Sequence, residues 1–348
     1  MKTLGELCNI VSGGTPLRSK TEFWDGGTIP WIKISNIKEK YVSEADEFIT
    51  EEGLLGSSAK MLNKGTVLYT IFATLGEVGI LKINACTNQA IAGLTIKDPT
   101  KLSTDYLYYY LKSKKSYVNS IGRGVAQNNI NMTLLKKFVI PLPNLLKQNE
   151  IVGVLDNVSN IIDIHQKELK YLDELVKARF VEMFGNPITN SKNLEAEKLK
   201  DVLILKAGDF TAASDISIER TPTNPYPCYG GNGIRGFVAE YNQDGDYSLI
   251  GRQGALSGNV QFARGRFKNT EHALLVKPKI EMDGMWLNQL LIHLDLKRYQ
   301  TGAAQPGLSV KNLQEIPIIL PPLEFQKQFA DFVREVDKSM YVSGSINI

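Results

Sequence analysis

Gly124-Val125-Ala126-Gln127-Asn128-Asn129-Ile130-Asn131-Met132 returns 178 residues later as Gly302-Ala303-Ala304-Gln305-Pro306-Gly307-Leu308-Ser309-Val310. Both copies run through a leucine, Leu135 or Leu313, into an apolar β-like stretch, Phe138-Val139-Ile140 or Ile316-Pro317-Ile318-Ile319-Leu320. Both stop at prolines, Pro141 and Pro143 in one, Pro321 and Pro322 in the other, and both continue into a helical pattern containing Gln148 or Gln326. Weaker echoes lie upstream. Thr87-Asn88-Gln89-Ala90 parallels Thr270-Glu271-His272-Ala273, Leu75-Gly76-Glu77 parallels Leu256-Ser257-Gly258, and Leu4-Gly5-Glu6-Leu7 parallels Leu199-Lys200-Asp201-Val202. The order of the matched segments is kept, and their similarity is high at the end of each unit and poor in its middle. Two related domains with different surfaces have this signature, as self-similarity at a fixed period implies.

Beyond Pro143 the period changes. Ile151, Leu155, Val158, Ile162, His165, Leu169, Leu172, Val176, Arg179 and Met183 are spaced alternately by four and three, a coiled-coil seam. Gly185 and Pro187 supply a helix stop. A helix over about 147–184 would be roughly 57 Å long. Phe329, Val333, Val336 and Met340 repeat the same spacing at the 178-residue offset. Two such seams can bury each other, and an antiparallel pair is the economical packing; the other possibility is that each helix docks on its own domain as ordinary core. His165 reads as a tolerated polar seam residue.

The globular stretches mix short β-type runs, Ile29–Ile34, Thr66–Ile71, Gly93–Ile96, Tyr247–Ile250 and Ala273–Val276, with one helix each, from Thr104 to about Ile121 and from about Met285 to Leu296. The expected fold class is α+β: two similar domains, residues 1–143 and 186–320, a central long spacer helix in 144–185 and a shorter C-terminal helix in 321–348, with an internal pseudo-two-fold repeat and an antiparallel coiled coil.

Composition excludes several classes. No apolar run approaches the ~20 residues that span a bilayer, and the start of the chain has no secretory h-region. Three scattered cysteines, Cys8, Cys86 and Cys228, fit neither a disulfide framework nor a zinc site, so a reducing cytoplasm is the expected setting. Net charge is +3 overall, with +5 in residues 1–143 and −2 in 144–185, so a basic partner-binding face is weakly signalled at best.

The search for catalysis returns little. Gly231-Asn232-Gly233-Ile234-Arg235-Gly236 has the letters of a dinucleotide fingerprint but neither the strand before nor the helix after that it requires, and reads as a β-hairpin loop. Asn224-Pro225-Tyr226-Pro227 carries letters of the adenine-methyltransferase motif in the wrong order. Glu168-Leu169-Lys170 and Asp295-Leu296-Lys297 read as solvated charge, not nuclease carboxylates, and there is no P-loop. No catalytic residue and no metal ligand is assigned.

The assembled order resembles the specificity subunit of type I restriction-modification systems over essentially the whole chain. The resemblance rests on Leu4–Leu7 with Ser12-Gly13-Gly14-Thr15-Pro16, Trp31-Ile32 with Ser35-Asn36-Ile37, Gly65–Leu68, Ile140-Pro141-Leu142-Pro143 with Gln148–Ile151, Leu172–Leu175 through Met183-Phe184-Gly185, and Ile319–Leu323 with Gln326. It implies that each globular unit is a target-recognition domain reading one half of a split DNA site, and that the paired helices set the gap between half-sites about one helical turn (~34 Å) apart. It further implies type I modification subunits that use S-adenosylmethionine on a flipped adenine, and restriction (motor-nuclease) subunits that use ATP and Mg²⁺. No cofactor is expected in this chain. One departure is the last helix, which is shorter than the first.

Because Arg, Gln and Asn are the best base readers and basic residues position the backbone, the expected DNA-binding residues are Lys20, Lys33, Asn36, Asn88, Gln89, Arg123, Gln127 and Asn128 in the first domain. In the second they are Arg235, Arg252, Gln253, Asn259, His272 and Gln305. The rival readings are a coiled-coil scaffold that binds only proteins and a stand-alone DNA methyltransferase.

Overall fold

A computed structural model describes the backbone of residues 1–122, 129–254, 256–301 and 307–344, and their side chains except at 121–122 and 339–344. It divides into two compact units, Met1–Ile162 and Asp163–Ile348. The boundary falls inside a single helix of 40 residues, Leu145–Phe184, so the expected spacer is one continuous element to which both units lay claim.

In the first unit, β1 (Lys2–Thr3) pairs antiparallel with β10 (Val139–Ile140). A five-stranded sheet runs in the order β2 (Cys8–Ser12), β9 (Ile91–Ile96), β6 (Val67–Thr70), β7 (Val78–Leu81), β4 (Tyr41–Val42). All its neighbours are antiparallel except β4 and β7. A second sheet sets β3 (Ile29–Ile32) between antiparallel β5 (Glu47–Ile49) and parallel β8 (Cys86–Thr87). Strands β6, β7 and most of β9 are buried on both faces, so they read as unbroken apolar runs. The period of two then sorts them. Val67, Tyr69, Val78, Ile80, Ala92 and Leu94 join the cluster beneath the helix Thr104–Ser113, whereas Leu68, Leu81 and Ile91 join Ile32, Val42 and Leu62 on the other side.

The second unit repeats this plan. β11 (Ala196–Lys198) pairs antiparallel with β20 (Pro317–Ile319). One sheet runs β12 (Leu203–Ala207), β19 (Ala273–Pro278), β16 (Tyr247–Gly251), β17 (Val260–Ala263), all antiparallel. In the other, β13 (Tyr226–Gly230) lies between antiparallel β14 (Gly233–Val238) and parallel β18 (Arg266–Asn269), with β15 (Gln243–Asp244) beyond. The order and sense of β2-β9-β6-β7 thus recur in β12-β19-β16-β17, and β3 with its two neighbours recurs in β13 with its own. The helices paired by sequence, Leu4–Leu7 and Leu199–Val202, begin with equivalent hydrogen bonds, Leu4 N to Phe138 O and Leu199 N to Ile316 O, both 2.8 Å. The Gly231–Asn232 segment is the turn of the β13–β14 hairpin.

Two expected helices are shorter than their sequence patterns. The first unit's helix stops at Ser113, where Lys114 N bonds back to Leu111 O, and restarts as Lys115–Gly122. The second unit's helix is Gly284–His293. Asp295, at φ 46°, turns the chain left-handed before a 3-10 turn at Leu296–Tyr299.

Each long helix is tied to its domain by one buried glutamine. Gln148 is fully buried; its Oε1 accepts from Ser103 N (2.9 Å) and its Nε2 donates to the carbonyls of Lys101 (2.7 Å) and Pro143 (2.8 Å). Gln326, 4 % exposed, accepts from Asp283 N (3.0 Å) and donates to Pro321 O (2.8 Å). Ser103 and Asp283 are the N-caps of the two domain helices. The N-cap amide that a capping box would satisfy from within its own helix is here satisfied by a side chain from the long helix.

The heptad seam is realised in parts. Leu172 and Val176 pack with Phe329, Val333 and Val336 of the C-terminal helix Leu323–Gly344. Phe180 and Phe184 lie 5.4 and 5.6 Å from the Phe329 ring, and Arg179 lies over Phe332, so the last turns of the long helix pack beside the first turns of the C-terminal helix. From Leu172 on, the covered side of the helix comprises Leu172, Val176, Arg179, Phe180, Met183 and Phe184, wider than a two-position seam because this end also belongs to the second unit's core. The seam positions Leu169 and Leu172 are half-buried and Val176 is buried, and Phe180 and Phe184 join them as further buried residues. Ile151 packs instead on the first unit's core. Leu155, Val158 and Ile162 are 36, 47 and 44 % exposed, and the Met340 side chain lies outside the described residues. His165 pairs with Glu168 on its own helix at 3.2 Å.

Lys40 locks the start of the spacer helix to the first unit. Its Nζ lies 2.8 Å from Asp105 and 2.7 Å from Asp156, and Tyr109 donates to Asp156 at 2.5 Å. Burial alone would raise the Asp156 pKa, but the hydrogen bonds from Lys40 and Tyr109 prevail and hold the carboxyl below its ordinary range. A depressed carboxylate stabilises the fold above its unfolded value of roughly 4, and that contribution is lost as pH falls through the folded value.

Two outcomes follow. Gln326→Ala strands a buried N-cap amide and a proline carbonyl and should lower stability by about 2 kcal/mol in urea unfolding, with Gln148→Ala behaving alike; unchanged midpoints would refute the tie. Asp156→Asn should lower amide-exchange protection of residues 152–162 at pH 7. The wild type should lose the same protection below pH ~4, and equal protection of the two proteins at pH 7 would count against the Lys40 lock.

Candidate nucleic-acid interface

In the first unit the recognition candidates gather where β3 and β8 end. Asn88 N donates to Ile32 O (3.0 Å), and the Asn88 side chain accepts from Ala90 N (3.1 Å), shaping the turn into β9. Gln89 is exposed and accepts from the Thr15 hydroxyl, on the segment whose Gly14 N bonds to Thr87 O. The close approach explains the glycines: a Cβ on Gly13 would come within 2.4 Å of Thr87 and Asn88 atoms. Asn36 caps the turn at Lys33 N (2.8 Å). Lys33, Asn36, Asn88 and Gln89 are therefore brought together. Lys20 stands apart, exposed beside Glu22 and over the Phe23 ring. Arg123, Gln127 and Asn128 lie outside the described residues.

Electrostatics tempers this cluster. Lys33 (2.6 Å) and Arg18 (2.5 Å) share the Glu47 carboxylate. Burial would raise the Glu47 pKa, but hydrogen bonds from Lys33 and Arg18 keep it below its ordinary range. Two cations on one anion leave one net positive charge there. Arg18 also lies 3.7 Å above the Trp24 ring, which meets Trp31 edge-on at 5.1 Å. Sequence reasoning passed over Arg18, Trp24 and Glu47, since their convergence depends on tertiary folding.

The second unit gathers its candidates at the equivalent edge. Arg252 N donates to His272 O (3.1 Å), and Arg252 O accepts from Leu308 N (2.9 Å). His272 Nδ1 lies 2.8 Å from Gln253 Oε1, and its Nε2 lies 3.0 Å from Glu271. Asn259 donates to Asn232 on the hairpin turn at 3.4 Å. Arg252, Gln253, Asn259 and His272 thus form one group, joined by Asn232, which the sequence had not singled out. Arg235 is exposed on β14, its side chain against Gly230. Gln305 lies outside the described residues.

The arrangement offers hydrogen-bonding side chains on loops, held by backbone bonds to strand ends. Among the described residues no group of three or more His, Cys, Asp or Glu is placed to hold a metal ion, and no helix is long and apolar enough to cross a membrane. The three cysteines are buried, and burial raises the Cys8 and Cys86 thiols to about 11.

Comparison with known proteins follows the same division. The type I restriction modification DNA specificity domain matches this chain twice, over residues 1–174 and 190–344. The specificity subunit of type I restriction enzyme EcoprrI from Escherichia coli is 32% identical over 359 residues, an alignment covering 96% of this chain and 86% of that protein. The MjaVIII specificity subunit from Methanocaldococcus jannaschii is 23% identical, with 94% and 80% covered. Among solved structures, the S subunit of a type I restriction-modification system from M. genitalium superimposes with a TM-score of 0.58 at 19% identity, covering 99% of this chain and 90% of that one, which shows a shared fold. Two matched domains and a relative aligned over nearly its whole length make this chain a member of the type I restriction-modification DNA specificity family.

Proposed function

We propose that this chain reads a bipartite DNA target for a type I restriction-modification complex, each unit contacting one half-site through the loops described above. The observation that carries the reading is that one strand plan is built twice, with loops of different chemistry at the same edge of each. A duplicated scaffold with dissimilar loops suits the reading of two different short sequences, because loops carry recognition while the framework holds them. The helix Leu145–Phe184, common to both units, ties one reader to the other. The DNA-contacting set is Lys20, Lys33, Asn36, Asn88, Gln89, Arg123, Gln127 and Asn128 for one half-site, and Arg235, Arg252, Gln253, Asn259, His272 and Gln305 for the other.

In this reading the chain performs no chemistry. Modification subunits supply S-adenosylmethionine-dependent methylation of a flipped adenine. Restriction subunits supply ATP- and Mg²⁺-dependent translocation and cleavage, and the complex works in the cytoplasm. The part of this chain is to select the site and hold those subunits on it. Phosphate contacts by residues such as Lys20 contribute affinity without selectivity, and base-edge contacts supply the discrimination.

The test is selection from a pool of random duplexes by this chain assembled with its modification subunits. One split motif, two short specific blocks around a fixed non-specific gap, should be enriched. Uniform, steeply salt-sensitive binding would favour a charged scaffold instead, and methylation by the isolated chain with S-adenosylmethionine would make it an enzyme in its own right.

A further inference from the structure

The two recognition edges share one slot in atomic detail, and the two units fill it with opposite chemistry. In the first unit β6 ends at Thr70. The next residue, Ile71, donates to Ala90 O (2.8 Å) and accepts from Ile130 N (2.9 Å). Phe72 then bridges Asn129 antiparallel, and Ala73 turns left-handed at φ 62°. The loop closes with Gly76, at φ 83°, donating to Thr70 O (3.1 Å).

In the second unit β16 ends at Gly251. Arg252 donates to His272 O (3.1 Å) and accepts from Leu308 N (2.9 Å). Gln253 bridges Gly307 antiparallel, Gly254 turns left-handed at φ 78°, and Gly258, at φ 87°, closes the loop onto Gly251 O (2.7 Å). Phe72 and Gln253 are therefore equivalent. The closing residues Gly76 and Gly258 lie six and seven positions after Thr70 and Gly251, so the second loop holds one extra residue. This corrects the sequence pairing of Gly76 with Ser257.

What occupies the slot differs. Gln253 is exposed, and its Oε1 is taken by His272 Nδ1 at 2.8 Å, which leaves the amide N–H₂ to donate outward. Phe72 is 46 % exposed and has no polar atom to offer. A lone exposed phenylalanine is ordinary on a protein surface. This one lies two residues beyond the end of β6, in a segment held by three backbone hydrogen bonds and followed by a non-glycine residue in the left-handed region, where strain collects at functional positions. An exposed aromatic on a segment fixed in this way suits contact with the C5-methyl group of thymine, the one apolar feature of a base edge in the major groove. An outward amide donor suits an acceptor such as a purine N7.

Resting on the DNA-reading function above, we propose that this slot determines specificity in both units: Phe72 selects thymine in one half-site by apolar contact, and Gln253 selects an acceptor-bearing base in the other by hydrogen bonding. One scaffold would then read two different half-sites by exchanging a single side chain at a fixed backbone position.

The experiment uses the full chain assembled with its modification subunits, methylating a library randomised at every position of the wild-type motif. Phe72→Ala should reduce the preference for thymine at one position of one half-site about tenfold, with the other half-site unchanged. Phe72→Leu should keep part of that preference, and Gln253→Ala should relax one position of the other half-site. Thermal unfolding of each variant alongside the wild type separates lost reading from lost folding, because an exposed side chain can be truncated without opening the core. If the wild type selects a split motif and Phe72→Ala keeps every base preference, or weakens all sequences equally, the slot does not read. A wild-type complex that selects no motif overturns the DNA-reading function, and this inference falls with it.

Discussion

A glutamine that cannot reach water holds each half of this protein together. Gln148 and Gln326 sit just beyond the prolines that end β10 and β20, and each bonds at once to the proline-bearing turn behind it and to the N-cap of its domain helix. Three elements distant in sequence, a closing strand, a domain helix and a long helix, meet at one amide. Burying an amide is unfavourable unless its donors and acceptor are all engaged, so the site tolerates one arrangement of those elements and disfavours the rest. The apolar contacts around it are larger in area but less directional. They would allow the long helix to slide or rotate on its domain, and the glutamine does not.

From that anchor the helices divide their work. The start of the spacer helix lies on the first unit through Ile151, Val152 and the Lys40–Asp156–Tyr109 group. Its far end lies in the second unit's core through Val176, Phe180 and Phe184, where the C-terminal helix covers it. Between these stretches Val158, Ile161 and Ile162 face solvent. One helix therefore serves as domain core at both ends and as a connecting element in the middle. This is why neither a pure coiled coil nor a pure docking helix describes it.

The loops proposed to read DNA follow the opposite principle. The strand plan shared by the two units centres on β6, β9, β16 and β19, whose buried stretches are covered on both faces, and a change there disturbs two layers at once. The loops leaving those strands have no such constraint beyond their backbone hydrogen bonds, which are repeated almost bond for bond. Side chains on them can be exchanged without cost to the core, as Phe72 and Gln253 illustrate. A family whose members need different targets on one framework is served by this separation of rigid plan and replaceable reader.

The sequence by itself determined the duplication, the long helix and the α+β character of both halves, because these rest on periodicity and on glycine and proline placement, which are local and additive along the chain. It also pointed to the segments 87–90 and 270–273 that form part of each proposed recognition edge, and to Gln148 and Gln326 as repeated residues without saying what they bond. Only the tertiary structure decided how much of the spacer helix is buried, adding Phe180 and Phe184 to the covered side at its far end and leaving Leu155, Val158 and Ile162 exposed. It alone paired Gly76 with Gly258, placed Arg18 and Lys33 on one carboxylate, and set Phe72 and Gln253 in the same slot. Each of these depends on residues far apart in sequence meeting at an angle, and no local pattern encodes an angle.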